Sequence, residues 1–378
     1  MPSPFFTGRT TFARFLVDGP LPTFGPEHLE KLDTNAIGKQ KIATADGSQF
    51  GWTAGEHLLD TQFDLAKNVV NDTLNFGLRA DEQKPPAALL KAYTAQHVKE
   101  LAAGNPSGFP SARQKREAKE LAKERLEEEA RDGRFLRRTV TPILWDRDGN
   151  ELLIASTSGT AIDRVHALFY QTFGCKFQML DAARRAALTY KLDGIAPSPF
   201  RGDTKDADVR WAVDAEFLGN EFLLWLWYWL ENVSDTLKLD DDSEVTAMLT
   251  RTLALDCPRG QTGKDVITGD GPSKQPEALR AIQAGKLPRK AGMVLVRQDQ
   301  QYELTLHAET FVIASAKLPA CESEDARARL EERVTQLRHL RETVDLMYQT
   351  FCARRLGGDW ERELAKMKLW LHMSAKAA

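Results

Sequence analysis

The sequence predicts an α+β fold of mainly antiparallel sheets with a charged helical arm and C-terminal amphipathic helices. Strand-like segments follow one another through short turns. TPILWD, RDGN and ELLIAST run over 141–157, and GMVLVRQ, YELTLHA and TFVIASA over 292–316. No crossover helix of the kind a parallel sheet requires separates these segments. A helical period then appears at 111–133 and at 322–356. In the second stretch Leu330, Val334, Leu337, Leu340, Val344, Met347 and Phe351 recur every three or four residues.

In chain order, RTTFARFLV (9–17) reads as a strand and 26–35 as a short helix opened by Pro26. Short strands follow near Phe50 and over 73–79. After Lys84-Pro85-Pro86 the spacing of Leu89, Leu90, Tyr93, Val98 and Leu101 predicts a helix over 87–103, broken by GNPSGFPS. The charged helix comes next, then a hairpin with Asp148-Gly149 at its turn. A helix capped by Ser158 or Thr160 follows, with Ile162, Val165, Phe169 and Phe173 on one side and Gly174 at its end. Pro and Asp become dense around 195–208, which suggests a boundary. Beyond it come the apolar helix FLLWLWYWL (222–230), a strand at 250–256, a Gly-rich loop, a helix at 276–284, the meander and two tail helices, the second at 360–373. These divisions give an N-terminal α+β domain (1–196) carrying the arm over 85–133, a second α+β domain (197–320) and a helical extension (321–378).

The 378 residues are 42% apolar, enough to bury a substantial core. The net charge of −3 masks an uneven distribution. From 113 to 138 there are ten Lys and Arg against seven Asp and Glu, whereas 201–244 holds four against twelve. An acidic average can therefore conceal a basic surface. Cys175, Cys257, Cys321 and Cys352 are scattered with no CxxC pair, and MPSPFFTGRT does not have the form of a signal peptide, so a reducing cytoplasm is expected. FLLWLWYWL is about half the length that spans a bilayer, so it reads as a buried helix and no membrane partner is expected.

The segment SARQKREAKELAKERLEEEARDG (111–133) sorts its charges by sign around a helix. At about 100° per residue Lys115, Arg116, Lys119 and Lys123 share one sector, Glu117, Glu120, Glu124 and Glu127 another, and Ala118, Leu121, Ala122 and Leu126 much of the rest. Ser111 with Gln114 forms a capping-box signature and Gly133 a stop. A solvated helix held by the pairs Arg113 with Glu117, Arg116 with Glu120 and Lys123 with Glu127 is one reading; an anion-binding face is the other. Arg134, Arg137 and Arg138 extend the basic stretch.

Catalytic spacing is missing. The seven histidines stand apart without HxH or HExxH, CPRGQTGKD (257–265) has the wrong glycine spacing for a P-loop, and no GxSxG occurs. Asp240, Asp241, Asp242 and Glu244 form the densest acidic cluster, which reads as a solvated loop and N-cap region, and Glu117-x-Lys119 has the ExK form of some nuclease sites. Neither assembles the carboxylates that a Mg²⁺-dependent nuclease needs. No metal and no cofactor is expected. A basic arm on a sheet scaffold can neutralise phosphates without reading bases.

The order of these pieces resembles the bacterial recombination-associated protein RdgC family. The resemblance lies in QFGWTAG (49–55), LNFGLRADEQKPPAALL (74–90), the charged helix, TPILWDRDGNELLIASTSGTAIDRVHALFYQTFG (141–174) and ALRAIQAGKLPRKAGMVLV (278–296), and spans roughly 9–320. It implies a homodimer that closes into a ring around double-stranded DNA, binds with little sequence preference, associates with the nucleoid and restrains strand exchange by a RecA-type recombinase. Lys115, Arg116, Lys119 and Lys123 would then face the DNA. Arg259 and Lys264 fall in a segment aligned with a tip loop of the family, and Lys286, Arg289 and Lys290 follow the matching AGK. The chain is longer than the compact members, the Trp-rich segment, the loop at 256–275 and the tail helices making up much of the excess. Two other expectations compete with this one: a Mg²⁺-dependent exonuclease using Asp241 and Glu244, and a scaffold that oligomerises through the tail helix without touching DNA.

Overall fold

A computed structural model describes residues 3–39, 48–200, 216–257 and 263–373. The first strand, β1 (Thr10–Val17), alternates little because almost every residue is buried. It is followed by α1 (Pro26–Thr34), β2 (Gln49–Thr53), α2 (Leu65–Asn68), β3 (Val69–Val70) and β4 (Thr73–Gln83). A two-helix arm, α3 (Ala87–Ala103) and α4 (Ala112–Ala130), leads into β5 (Leu136–Asp146) and β6 (Glu151–Ile154). Between these strands Gly149 (φ 70°) and Asn150 (φ 52°) take left-handed backbone, which the D-G-N sequence tolerates. Then come α5 (Gly159–Phe173), closed by left-handed Gly174, β7 (Phe177–Met179) and α6 (Ala182–Ala187).

The second half contains α7 (Phe217–Asn232), β8 (Thr236–Lys238), β9 (Glu244–Asp256), β10 (Asp265–Gly269), α8 (Pro276–Gln283), β11 (Leu287–Arg297), β12 (Gln300–His307), β13 (Ile313–Lys317), α9 (Ala326–Arg355) and α10 (Trp360–Met373). Among the described residues the strands join into one 13-stranded sheet, in the order β10-β9-β11-β12-β13-β1-β6-β5-β4-β2, with β3 on β4, β7 on β1 and β8 on β9. Every strand pairing in it is antiparallel. The fold is therefore α+β. β1 is the hinge of this path, pairing with β13 at Thr10↔Ala316 and with β6 at Ala13↔Ile154. The strand path runs through the divisions expected at 196 and 320, and one apolar core draws Phe5 and Phe12 together with α7 and α9 across them.

One core gathers Trp52, Phe76, Trp145 and Phe169 from the first half. The other centres on α7, whose residues from Phe217 to Tyr228 are all buried, and on Leu337, Leu340, Val344, Met347 and Phe351 of α9. Burying each such side chain is worth about 1.5–3 kcal/mol. Gly219 lets α7 approach the sheet, since a Cβ there would lie 1.9 Å from the Ala308 carbonyl oxygen. The apolar stripe of the tail helix is consumed inside the chain, so the expected scaffold surface is part of the core. Among the described residues no helix is long and apolar enough to cross a membrane.

The other side of α9 carries arginines that cross to the first half. Arg338 and Arg341 reach Asp146, and Arg341 also donates to Glu151 at 2.9 Å. Arg14 of β1, only 1% exposed, donates to Glu151 (2.8 and 3.0 Å) and to Asp345 (2.8 and 2.7 Å), and Arg185 adds a bond to Asp345 at 2.8 Å. Burial alone would raise the Glu151 pKa, but Arg14 and Arg341 pull it down to about 2.

Several local expectations change. Residues 240–242 lie in the turn of the β8–β9 hairpin, where Lys238 pairs with Glu244, so they cap no helix. The strand expected at 250–256 starts at Glu244. The loop expected over 256–275 includes β10, which pairs with β9.

Candidate nucleic-acid interface

The arm owes its shape to small residues. Ala118, Ala122, Leu126 and Ala130 recur at intervals of four and are the buried residues of α4, which packs against α3. Ser111 and Gln114 form the complete capping box. Gln114 also donates to the Leu101 carbonyl at 3.0 Å, tying the two helices at the tip. Further down, the Tyr93 hydroxyl donates to Glu129 at 2.8 Å while the Arg125 guanidinium lies 4.0 Å from the Tyr93 ring centre. This seam leaves the rest of α4 to solvent.

Lys115, Arg116, Lys119 and Lys123 are all exposed. With a rise of about 1.5 Å per residue, Lys115, Lys119 and Lys123 stand about 6 Å apart along the helix. Lys123 pairs with Glu120 at 2.9 Å, not with Glu127 as the spacing suggested, and the expected Arg113–Glu117 and Arg116–Glu120 pairs do not form. Order alone does not decide this, since Arg125, which also precedes its acid by four residues on the same helix, pairs with Glu129 at 3.6 Å. Among the described residues Lys115, Arg116 and Lys119 form no ion pair.

At the arm's base Arg134 is held by Asp132 (2.6 Å) and Glu129 (3.5 Å). Arg137 and Arg138, both exposed, stand opposite Glu82 and Asp81 in the β4–β5 ladder. Arg138 lies 3.4 Å from Asp81, which is already shared with Arg79. Arg134 and Arg138 are partly neutralised and form a weaker surface than the helix, while Arg137 stands opposite Glu82, whose carboxylate is taken by Arg164.

The second expected group divides. Lys286 is buried and donates to Asp265 at 2.6 Å, and Arg289 is shared between Glu309 (2.7 Å) and Asp256 (3.4 Å). Lys286 serves the fold, because a cation this enclosed requires a carboxylate beside it, and half-buried Arg289 is neutralised by its two carboxylates. Lys264 is exposed and lies 3.6 Å from Asp256. Lys290 is exposed opposite His307, whose pKa falls to about 4 through burial and the nearby Lys290 charge. Arg259 lies outside the described residues.

The acidic cluster is also engaged. Asp241 bonds Ser243 and takes the Arg297 guanidinium at 2.5 Å, Asp242 pairs with Lys238 at 2.9 Å, and Glu244 begins β9. Among the described residues no three His, Cys, Asp or Glu side chains gather as a metal site. Sequence reasoning missed Arg9, Arg251 and Lys317, which three parts of the sheet bring to one carboxylate, Glu303. No spacing relates these positions before the strands pair. Compared with family models and with curated proteins the sequence gives no match, so the site is read from its own chemistry.

Proposed function

We propose that this protein binds double-stranded DNA through its phosphate backbone, without base recognition, and acts in recombination. The observation that carries the reading is the row of Lys115, Arg116 and Lys119 on α4, exposed and unpaired among the described residues at the top of a packed helical hairpin. Such a row costs self-repulsion and contributes nothing to the core. It makes sense as a counter-surface for a regular anionic polymer, and its span of about 12 Å from Lys115 to Lys123 matches three to four phosphates of one strand at about 3.4 Å each. The family resemblance supports the further reading of a nucleoid-associated homodimer that encircles DNA and restrains a RecA-type recombinase.

The test is filter binding with two unrelated duplexes across a range of salt. Similar affinities that weaken steeply with salt are expected, together with a uniform loss on Lys115→Glu/Lys119→Glu/Lys123→Glu. Absence of duplex binding by the wild-type protein at low salt would remove the reading. EDTA-sensitive cleavage of the DNA would favour the nuclease alternative.

A further inference from the structure

We infer that the exposed face of the second half-sheet carries a separate phosphate-binding site, formed by Arg9, Arg251 and Lys317 around Glu303, which binds nucleic-acid backbone. The inference rests on the DNA-binding reading and adds a binding surface remote in sequence from the arm.

Glu303 projects from β12 on the face opposite the α7 core, since its neighbours Tyr302 and Leu304 are buried. Three cations converge on it. Arg251 of β9 approaches to 2.6 Å, Arg9 at the start of β1 to 2.9 Å, and Lys317 of β13 to 3.1 Å. Hydrogen bonds from Arg9 and Lys317 hold the Glu303 carboxyl below its usual pKa, so it stays ionised and neutralises one charge. The cluster keeps two surplus positive charges. Each cation remains reachable, with the side chains of Arg251, Lys317 and Arg9 exposed by 58, 57 and 42%.

The backbone is shaped to bring them there. β9 reaches β12 across the one intervening strand, β11, and closes on it at Gly292, where a Cβ would sit 2.2 Å from the Thr250 carbonyl oxygen. The register shifts at this point and Arg251 takes left-handed backbone (φ 64°). On the other side of Glu303, Ser315 is also left-handed (φ 52°), at a register shift in β13, and its carbonyl accepts from Arg9 at 3.0 Å. Two non-glycine residues in this conformation cost free energy, and bulges of this kind re-aim side chains. Stability does not account for the outlay, because exposed ion pairs contribute little and a single carboxylate cannot satisfy three cations. An incoming phosphate would relieve the surplus, and Thr252, Thr305 and Ser315 on the same face supply hydroxyls.

The experiment compares wild-type protein, Arg9→Gln/Arg251→Asn/Lys317→Gln, and the charge-reversed arm by salt-dependent binding of a fluorescent duplex. Asn at 251 removes the charge while accepting left-handed backbone, and circular dichroism confirms folding of each variant. The sheet variant is expected to bind about tenfold more weakly, with a salt slope shallower by about one for each phosphate no longer neutralised. Arg251→Lys/Lys317→Arg, which keeps the charges, is expected to bind within about threefold of wild type. A folded sheet variant with wild-type affinity and slope, while the arm variant loses both, would overturn this site and leave the DNA-binding reading standing. Unchanged duplex binding with loss of binding to a polyglutamate peptide would assign the site to acidic proteins and also overturn it. Failure of wild-type protein to bind duplex removes both readings.

Discussion

Replacing Asp345 with Asn removes one negative charge from a buried network and nearly preserves shape. Arg14, 1% exposed, would keep only Glu151 as an anionic partner, and Arg185 would lose its carboxylate. Breaking a buried ion pair by removing one partner costs about 3–5 kcal/mol, because the remaining charge is left without compensation. Unfolding entropy of about 2.1 cal/mol/K per residue, taken over this chain unfolding as one unit, converts that loss to a fall in Tm of about 4–6 °C. Differential scanning calorimetry at pH 7 measures it. Asp359→Asn provides the control, because that carboxylate is exposed and among the described residues pairs only with Arg362, itself exposed. The double change Arg14→Met/Asp345→Leu should recover little of the loss, because Glu151 then loses Arg14 and Arg185 still loses its carboxylate. A Tm for Asp345→Asn within about 1 °C of wild type would refute the claim that these charges couple α9 to β1.

Acid should act through the same network. The Glu151 pKa is depressed to about 2 from an ordinary 4.5, so its contribution, about 3 kcal/mol, is full above pH 4.5 and is lost as pH falls toward 2. Urea unfolding between pH 5 and pH 2.5 should show the decline, and Glu151→Gln should flatten it. Gly219→Ala forces a methyl against the Ala308 carbonyl and should destabilise by about 1–3 kcal/mol in chemical denaturation, while Gly159→Ala, at an open helix start, should change little. Ala122→Glu inserts a charge into the arm seam; it should release α4 from α3, seen as faster amide exchange over 112–130, without lowering the Tm of the body. Truncation after Ala320 should expose the α7 core and yield a protein that binds a hydrophobic dye, whereas recovery of a folded monomer would contradict the placement of α9.

Local rules were enough for the arm and for most elements. The capping box at Ser111, the proline before α3, the glycine after α5 and the period-two runs of β11 and β12 act within a few residues, so their consequences can be read in order along the chain. β10 escaped notice because five residues with a Gly at one end carry too little pattern until β9 supplies a partner. The acidic turn before β9 misled for a related reason: Asp and Ser cap helices and close hairpins alike, and only pairing of Lys238 with Glu244 selects the hairpin. Charge was the least legible property. Lys286 and Arg289 look like free cations in sequence, and their carboxylates arrive from positions 256, 265 and 309.

The sequence by itself determined an α+β chain with antiparallel strands, a buried Trp-rich helix and an arm whose basic sector stays in water. Each follows from periodicity and capping, which are local. The tertiary structure decided which cations remain available, because availability depends on the carboxylates that distant strands bring alongside. It left Lys115, Arg116 and Lys119 unpaired among the described residues, enclosed Lys286, and built a cationic cluster from positions 9, 251 and 317 by bending two strands around a glycine and a left-handed serine.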